Sequence, residues 1–195
     1  VEKGSLVGYN TDADGFLVDL KEGRRLSPEG RRVLILGCGG AGRALAVACA
    51  REGAAEIGLA NRTAAKAAAL AEDIGEHLPD VTSQIDVLSG DPEAWARYSR
   101  ESDLVVQCTS AGLHLGDAPL LPSAAFRPGQ LVYDLVYTQR VTPTMRAALE
   151  AGADAMNGAG MLVHQGASAF AIWTGLRADT AAAHGGSQEL KVLAV

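Results

Sequence analysis

Hydrophobic positions along this chain fall into two alternating rhythms. Val33-Leu34-Ile35-Leu36, Glu56-Ile57-Gly58-Leu59-Ala60 and Asp103-Leu104-Val105-Val106-Gln107-Cys108 are short apolar runs with the length of buried strands. Gln84–Leu88 and Leu131–Leu135 repeat that signal, and a brief strand is expected near Ala155-Met156. Between the runs the pattern turns helical: Arg43–Ala50, Ala64–His77, a helix opened by Asp91-Pro92-Glu93, Thr142-Pro143 through Glu150, and a long apolar stretch from Gly160 to Gly175. Thr63 and Asp91 are placed as caps, Pro92 and Pro143 as first helical residues, and Gly152 as a stop. Ahead of the first strand, Ala13–Leu20 forms a short helix with Phe16, Leu17 and Leu20 on one face, and Asn10, Thr11 or Asp12 as its cap.

Strand–helix alternation at this spacing predicts an α/β fold, a doubly wound parallel sheet of Rossmann-like type. Residues 25–177 make up this unit, residues 1–24 a linking helix and substrate-side segment, and residues 178–195, with Gly185-Gly186, a partly frayed tail. In such sheets ligands bind beyond the carboxyl ends of the strands. The loops Gly37–Gly42, Asn61–Thr63 and Thr109-Ser110-Ala111-Gly112 leave such ends, so all three are expected along one cleft.

The loop after the first strand reads Gly37-Cys38-Gly39-Gly40-Ala41-Gly42. Its glycines allow a tight turn, a close backbone approach to a pyrophosphate and close helix–strand packing, and the following helix start presents free N–H groups to phosphates. A site for the 2′-hydroxyl of NAD ends the next strand with Asp or Glu; here that end is Asn61-Arg62-Thr63, with Lys66 close behind. A guanidinium and an ammonium attract a 2′-phosphate, so the expected cofactor is NADP(H). The bland alternative is a tight strand–helix turn with a surface arginine.

Composition narrows the class. The chain has 195 residues, 48% of them hydrophobic, enough for a substantial core. A net charge of −6 with no basic tract argues against nucleic-acid binding. No apolar run reaches the length of a membrane span, and the start carries no signal-peptide pattern. Three cysteines, Cys38, Cys49 and Cys108, lack metal-ligand spacing and suit a reducing cytoplasm; no metal site is expected. Cys38 reads as a small filler rather than a nucleophile. The first residue is Val1 rather than Met, which suggests a piece of a longer chain.

Some residues carry two readings. Asp12 can cap a helix, or supply a carboxylate that positions an alcohol and shares a proton. Tyr137 can be an ordinary half-buried aromatic, Gln165 a polar position on an amphipathic helix, and Gly158 and Gly160 simple turn residues. His164 reads as a packing histidine, and His114 carries no assigned role.

Taken in order, Gly8-Tyr9-Asn10-Thr11-Asp12-Ala13-Asp14-Gly15-Phe16, the Gly37–Gly42 loop, Asn61-Arg62-Thr63, Thr109-Ser110-Ala111-Gly112, Val132–Tyr137 and Gly158–Gln165 resemble the nucleotide-domain half of shikimate dehydrogenases. The resemblance implies NADPH-dependent reduction of 3-dehydroshikimate to shikimate in aromatic amino-acid (chorismate) synthesis. It implies a catalytic and substrate-binding role for Asp12, and substrate contacts for Tyr137 and Gln165. It places Gly37, Cys38, Gly39, Gly40, Ala41, Asn61, Arg62, Thr63, Lys66, Thr109, Leu135, Gly158 and Met161 against the cofactor. The family's N-terminal substrate domain, with its catalytic Lys and an Asn, has no counterpart here; Lys3 is in the wrong motif. The expected isolated chain therefore binds NADP without turning over substrate. Either a monomer or a homodimer is compatible with it. Two other readings stand beside this one: an NAD-preferring quinate or shikimate dehydrogenase, and a non-catalytic NADP-binding regulatory module. An exposed apolar patch around Phe16, Leu17, Phe170 and Trp173 is expected where the substrate domain would border.

Overall fold

The structure is a computed structural model that describes residues 4–180 and 191–192. The first helix, α1, runs over Thr11–Arg24 and is longer than its apolar face alone indicates. Then β1 (Arg32–Leu36), α2 (Gly40–Arg51), β2 (Glu56–Ala60), α3 (Ala64–His77), β3 (Gln84–Val87), α4 (Pro92–Glu101) and β4 (Leu104–Gln107) follow in strict alternation. A 3-10 turn at Ser123–Ala125 precedes β5 (Leu131–Asp134), α5 (Pro143–Glu150), β6 (Asp154–Asn157) and α6 (Ala159–Thr174).

Strands β1 to β6 form one sheet in the order β3-β2-β1-β4-β5-β6, and every neighbouring pair is parallel. This is the doubly wound arrangement, with the order reversing between β1 and β4 and a crevice opening above that reversal. The apolar runs form the central strands because both of their faces are covered: Val33, Leu34, Ile35, Val105 and Val106 are wholly buried. Punctuation residues act largely as expected. Asp91 accepts from the Glu93 N–H ahead of Pro92, and Thr142 accepts from the Met145 N–H ahead of Pro143. Thr63 differs: it stands at the N-cap position of α3, but its side chain makes no capping bond.

Several boundaries moved, among them β3, which ends at Val87 rather than Leu88. Helix α2 begins at Gly40 rather than Arg43, so the glycine turn supplies the first helical residues. The strands expected over Asp103–Cys108 and Leu131–Leu135 each end one residue earlier, at Gln107 and Asp134, although the Cys108 and Leu135 N–H groups still donate to the Leu36 and Gln107 carbonyls. Of the tail, Ala178–Asp179 pairs antiparallel with Lys191–Val192, and the rest of the fraying expected there lies outside the described residues.

Helix α1 belongs to the same core as the sheet. Phe16 and Leu20 are wholly buried in the cluster that holds Val33, Ile35, Leu45 and Tyr133, and the Phe16 ring meets the Tyr133 ring edge-on at 5.0 Å. This corrects the expected apolar patch: Phe16 is interior, and Leu17 and Phe170 are only partly exposed. The exposed apolar side chains at the end of α6 are Ile172, Trp173 and Leu176, with Trp173 82% exposed.

Candidate active site

Two cavities open at the carboxyl ends of the strands, and residues singled out from sequence line both. The larger, about 620 Å³, lies over the strand-order reversal and is bounded by Gly37, Asn61, Arg62, Thr63, Lys66 and Thr109, among others. Gly37 has φ +102°, and a β-carbon there would come within 2.8 Å of Thr109 Cγ2. A β-carbon on Gly42 would run into the Gly37 carbonyl oxygen, so only glycine lets α2 start this close to the turn. Gly39 and Gly40, with nothing within 4 Å of where a β-carbon would stand, present bare backbone to the outside. The first N–H groups of α2 have no partner within the helix and suit a phosphate.

Asn61 does structural work here. Its Oδ1 accepts from the Cys38 N–H at 3.2 Å, and its Nδ2 donates to the Thr63 carbonyl at 2.9 Å. The amide thereby joins the glycine turn to the loop after β2. Arg62, Thr63 and Lys66 are exposed, and among the described residues neither Arg62 nor Lys66 is drawn into an ion pair. A carboxylate is missing from the end of β2, so nothing there opposes a 2′-phosphate. These residues fit a phosphorylated dinucleotide. Ala41 stands in the first turn of α2, while Cys38 is buried with Sγ 3.8 Å from the Ala60 carbonyl. Burial pushes its thiol up to about 11, which removes the thiolate a nucleophile needs.

Ser110 lines the groove as its loop was expected to, but Trp95, Gly90 and Asp117, which also line it, were not anticipated from sequence. Asp117 Oδ2 accepts from the N–H groups of Gly112 and His114, each at 3.0 Å, and so folds the loop after β4. Beyond Thr109–Gly112 that loop has no periodicity that marks Asp117. Beneath it, buried Gln107 accepts from the Thr109 N–H at 2.5 Å and donates to the Ala111 carbonyl at 2.9 Å and to Asp134 Oδ1 at 3.2 Å. Asp134 also accepts from the Thr142 hydroxyl at 2.5 Å and the Val136 N–H at 3.0 Å. Burial pushes the Asp134 carboxyl up to about 6, although those bonds pull it down.

The second cavity, about 210 Å³, is lined by Asp12, Leu135, Tyr137, Gly158, Met161, Leu162 and Gln165. Six of the seven were singled out from sequence; Leu162 was not. Asn10, rather than Asp12, caps α1 through its side chain, so the Asp12 carboxylate is not committed to the helix end. Gln165 stands with Oε1 3.4 Å from the Thr11 hydroxyl, while its Nε2 donates to the Leu162 carbonyl at 3.1 Å. Tyr137 is half exposed at the rim. A carboxylate, an amide and a phenol around a small pocket can hold a polyhydroxylated ring. His164 is buried, with Nε2 3.6 Å from Glu22, in keeping with packing. His114 is exposed, and the position of Lys3 lies outside the described residues.

Comparison with known proteins agrees with this layout. Residues 158–184 match the model for the shikimate 5′-dehydrogenase C-terminal domain, and residues 33–118 match the saccharopine dehydrogenase NADP binding domain. The NADP(+) shikimate dehydrogenase of Citrifermentans bemidjiense is 43% identical over 176 residues, covering 90% of this chain and 60% of the relative. A solved shikimate 5-dehydrogenase from Listeria monocytogenes, in complex with shikimate and NAD, superposes with TM-score 0.81 at 31% identity, covering 90% of this chain and 62% of that one. A quinate dehydrogenase from Corynebacterium glutamicum in complex with NAD gives TM-score 0.80 at 27% identity over 90% and 61% of the two chains. The chain thus spans about 60% of the length of the curated relatives it matches.

Proposed function

We propose that the chain belongs to the shikimate dehydrogenase family and that it is the nucleotide-holding part of an NADP-dependent oxidoreductase that interconverts 3-dehydroshikimate and shikimate. The observation that carries this reading is the smaller cavity, where Asp12, Tyr137 and Gln165 meet Leu135, Gly158 and Met161 around one space. A nicotinamide held in this cavity would supply or take the hydride. Arg62 and Lys66 hold the 2′-phosphate by charge, with the Thr63 hydroxyl beside them. The glycine turn and the start of α2 seat the pyrophosphate. Leu135, Gly158 and Met161, which line the smaller cavity, would hold the nicotinamide. Asp12 and Gln165 hold the substrate hydroxyls, and Asp12 shares the proton that moves as alcohol becomes ketone, while Tyr137 closes the rim.

No lysine among the described residues lines this cavity, so the partner of Asp12 in proton transfer is not assigned to these residues. The buried thiols of Cys38 and Cys49 fit a reducing, cytoplasmic setting. No helix among the described residues is long and apolar enough to cross a membrane.

The test is saturation-transfer NMR on the NADP-loaded chain with shikimate and quinate. Shikimate should receive saturation and lose it in Gln165→Ala. Transfer to quinate alone would favour the quinate-dehydrogenase reading, and transfer to neither would favour a nucleotide-binding module without a substrate. In a steady-state assay, these residues alone should form no NADPH from shikimate. Measurable formation would place the missing proton-transfer group among them.

A further inference from the structure

Besides Asp134, a second carboxylate among the described residues is buried outside both cavities. Asp19, in the middle of α1, is only 3% exposed. Burying a carboxylate is costly unless hydrogen bonds compensate, so its partners indicate what it is for. The Tyr133 hydroxyl, from β5, donates to Asp19 Oδ2 at 2.6 Å, and both groups are interior. Burial, and then the Asp19 charge beside it, push the Tyr133 phenol well above its usual value, so it remains a donor, with the Met161 backbone acting in the opposite sense.

The other oxygen of Asp19 faces the start of α6. A β-carbon on Gly160 would overlap Asp19 Oδ1, so the carboxylate rests directly on the first turn of that helix. Gly158 occupies the N-cap position of α6 and has no side chain, and Asn157 Oδ1 accepts only the first N–H, that of Ala159, at 3.2 Å. A negative charge at this end complements the unpaired N–H groups and the helix dipole. One turn earlier along α1, a β-carbon on Gly15 would stand 2.8 Å from both the Gln165 nitrogen and the Met161 carbonyl oxygen. Helices α1 and α6 are therefore in backbone contact, and Asp19 closes the far end of that contact.

We infer that Asp19 is a positioning residue: through Tyr133 and the first turn of α6 it fixes where Met161 and Gln165 stand relative to Asp12, without itself entering either cavity. The inference rests on the reading of the smaller cavity as the nicotinamide and substrate end of the site. It makes a separable demand. The adenosine-phosphate end, at Arg62 and Lys66, lies on other elements, so it should not respond to Asp19.

The experiment uses the whole chain and two probes. Adenosine 2′,5′-bisphosphate reports the Arg62–Lys66 end alone, and NADPH reports both ends, with its nicotinamide fluorescence as a direct signal. In Asp19→Asn, the bisphosphate affinity should stay within about twofold, while NADPH binds about tenfold more weakly and loses nicotinamide fluorescence enhancement. Tyr133→Phe should reproduce this pattern. The double variant should be no worse than the more affected single one, because both changes break one connection. Unchanged NADPH binding in Asp19→Asn would overturn the inference. So would an equal fall for both probes, which would make Asp19 a general stabiliser. If one variant fails to fold, the other still decides between these outcomes. Failure of the unaltered chain to bind either probe would instead remove the nucleotide reading, and this inference with it.

Discussion

Asn10 Oδ1 lies 3.0 Å from the Asp12 backbone nitrogen, and this single bond separates two roles that the sequence leaves merged. Asn10 takes the helix cap, which releases the Asp12 carboxylate to line a cavity. Both are common capping residues, and Thr11 between them is a third, so residue type alone does not choose.

The first prediction follows from that division. Asn10→Ala should destabilise the chain by about 1 kcal/mol, the usual loss for a side-chain cap. Asp12→Asn should cost only the weak attraction of its charge to the helix end, about 0.3 kcal/mol at an exposed first turn. Urea unfolding of both variants measures the difference. A larger loss for Asp12→Asn would return the capping role to Asp12.

Arg62→Ala and Lys66→Ala should each weaken NADP binding about tenfold or more, since a charge-assisted contact contributes roughly 1.5–3 kcal/mol. NAD binding should change little in either, because NAD lacks the group they face. Raising the salt concentration should narrow the gap between the two cofactors, as both side chains are exposed. Fluorescence titration in low and high salt reads both effects.

Much of the layout was legible in advance because it depends on local signals. The apolar runs, the glycine turn and the proline and aspartate caps act through nearest neighbours, so pattern alone located the sheet and the groove. The connections that stiffen the site are different. Gln107 with Asp134, and Asp19 with Tyr133, join residues far apart in sequence, and each looked like an ordinary polar residue at a strand end or helix face. Phe16 misled for the same reason: its face of α1 looked unpartnered until Tyr133 of β5 came across to cover it. Asp117 works on backbone N–H groups of its own loop, which leave no trace in hydrophobic pattern.

Asp134 gives a pH prediction with a definite sign. Its folded pKa is raised, to about 6 from the ordinary value of 3.8. Below about pH 4 the carboxyl is protonated in both folded and unfolded chains, and its contribution to stability is fully present. As pH rises from about 4 to 6 the unfolded chain ionises first, so stability falls by about 2–3 kcal/mol and then levels off. Asp134→Asn should flatten that segment of the stability profile, measured by urea unfolding at stepped pH. An unchanged slope in the variant would assign the effect to other groups.

Gly42→Ala should cost the glycine turn its shape, since the added carbon runs into the Gly37 carbonyl oxygen. NADP binding should fall by more than about a hundredfold if the turn holds the pyrophosphate. Gly75→Ala, at a helical position where the added carbon meets nothing within 4 Å, is the matched control and should bind normally. Thermal unfolding of both separates loss of the site from loss of the fold.

A 2′-phosphorylated dinucleotide should seat between the glycine turn and the side chains of Arg62 and Lys66. Calorimetric titration of the purified chain with NADP and with NAD tests it most directly. NADP should bind at least about tenfold more tightly, with the preference abolished in the Arg62→Ala, Lys66→Ala double variant. Equal affinities for the two cofactors in the unaltered chain would contradict it.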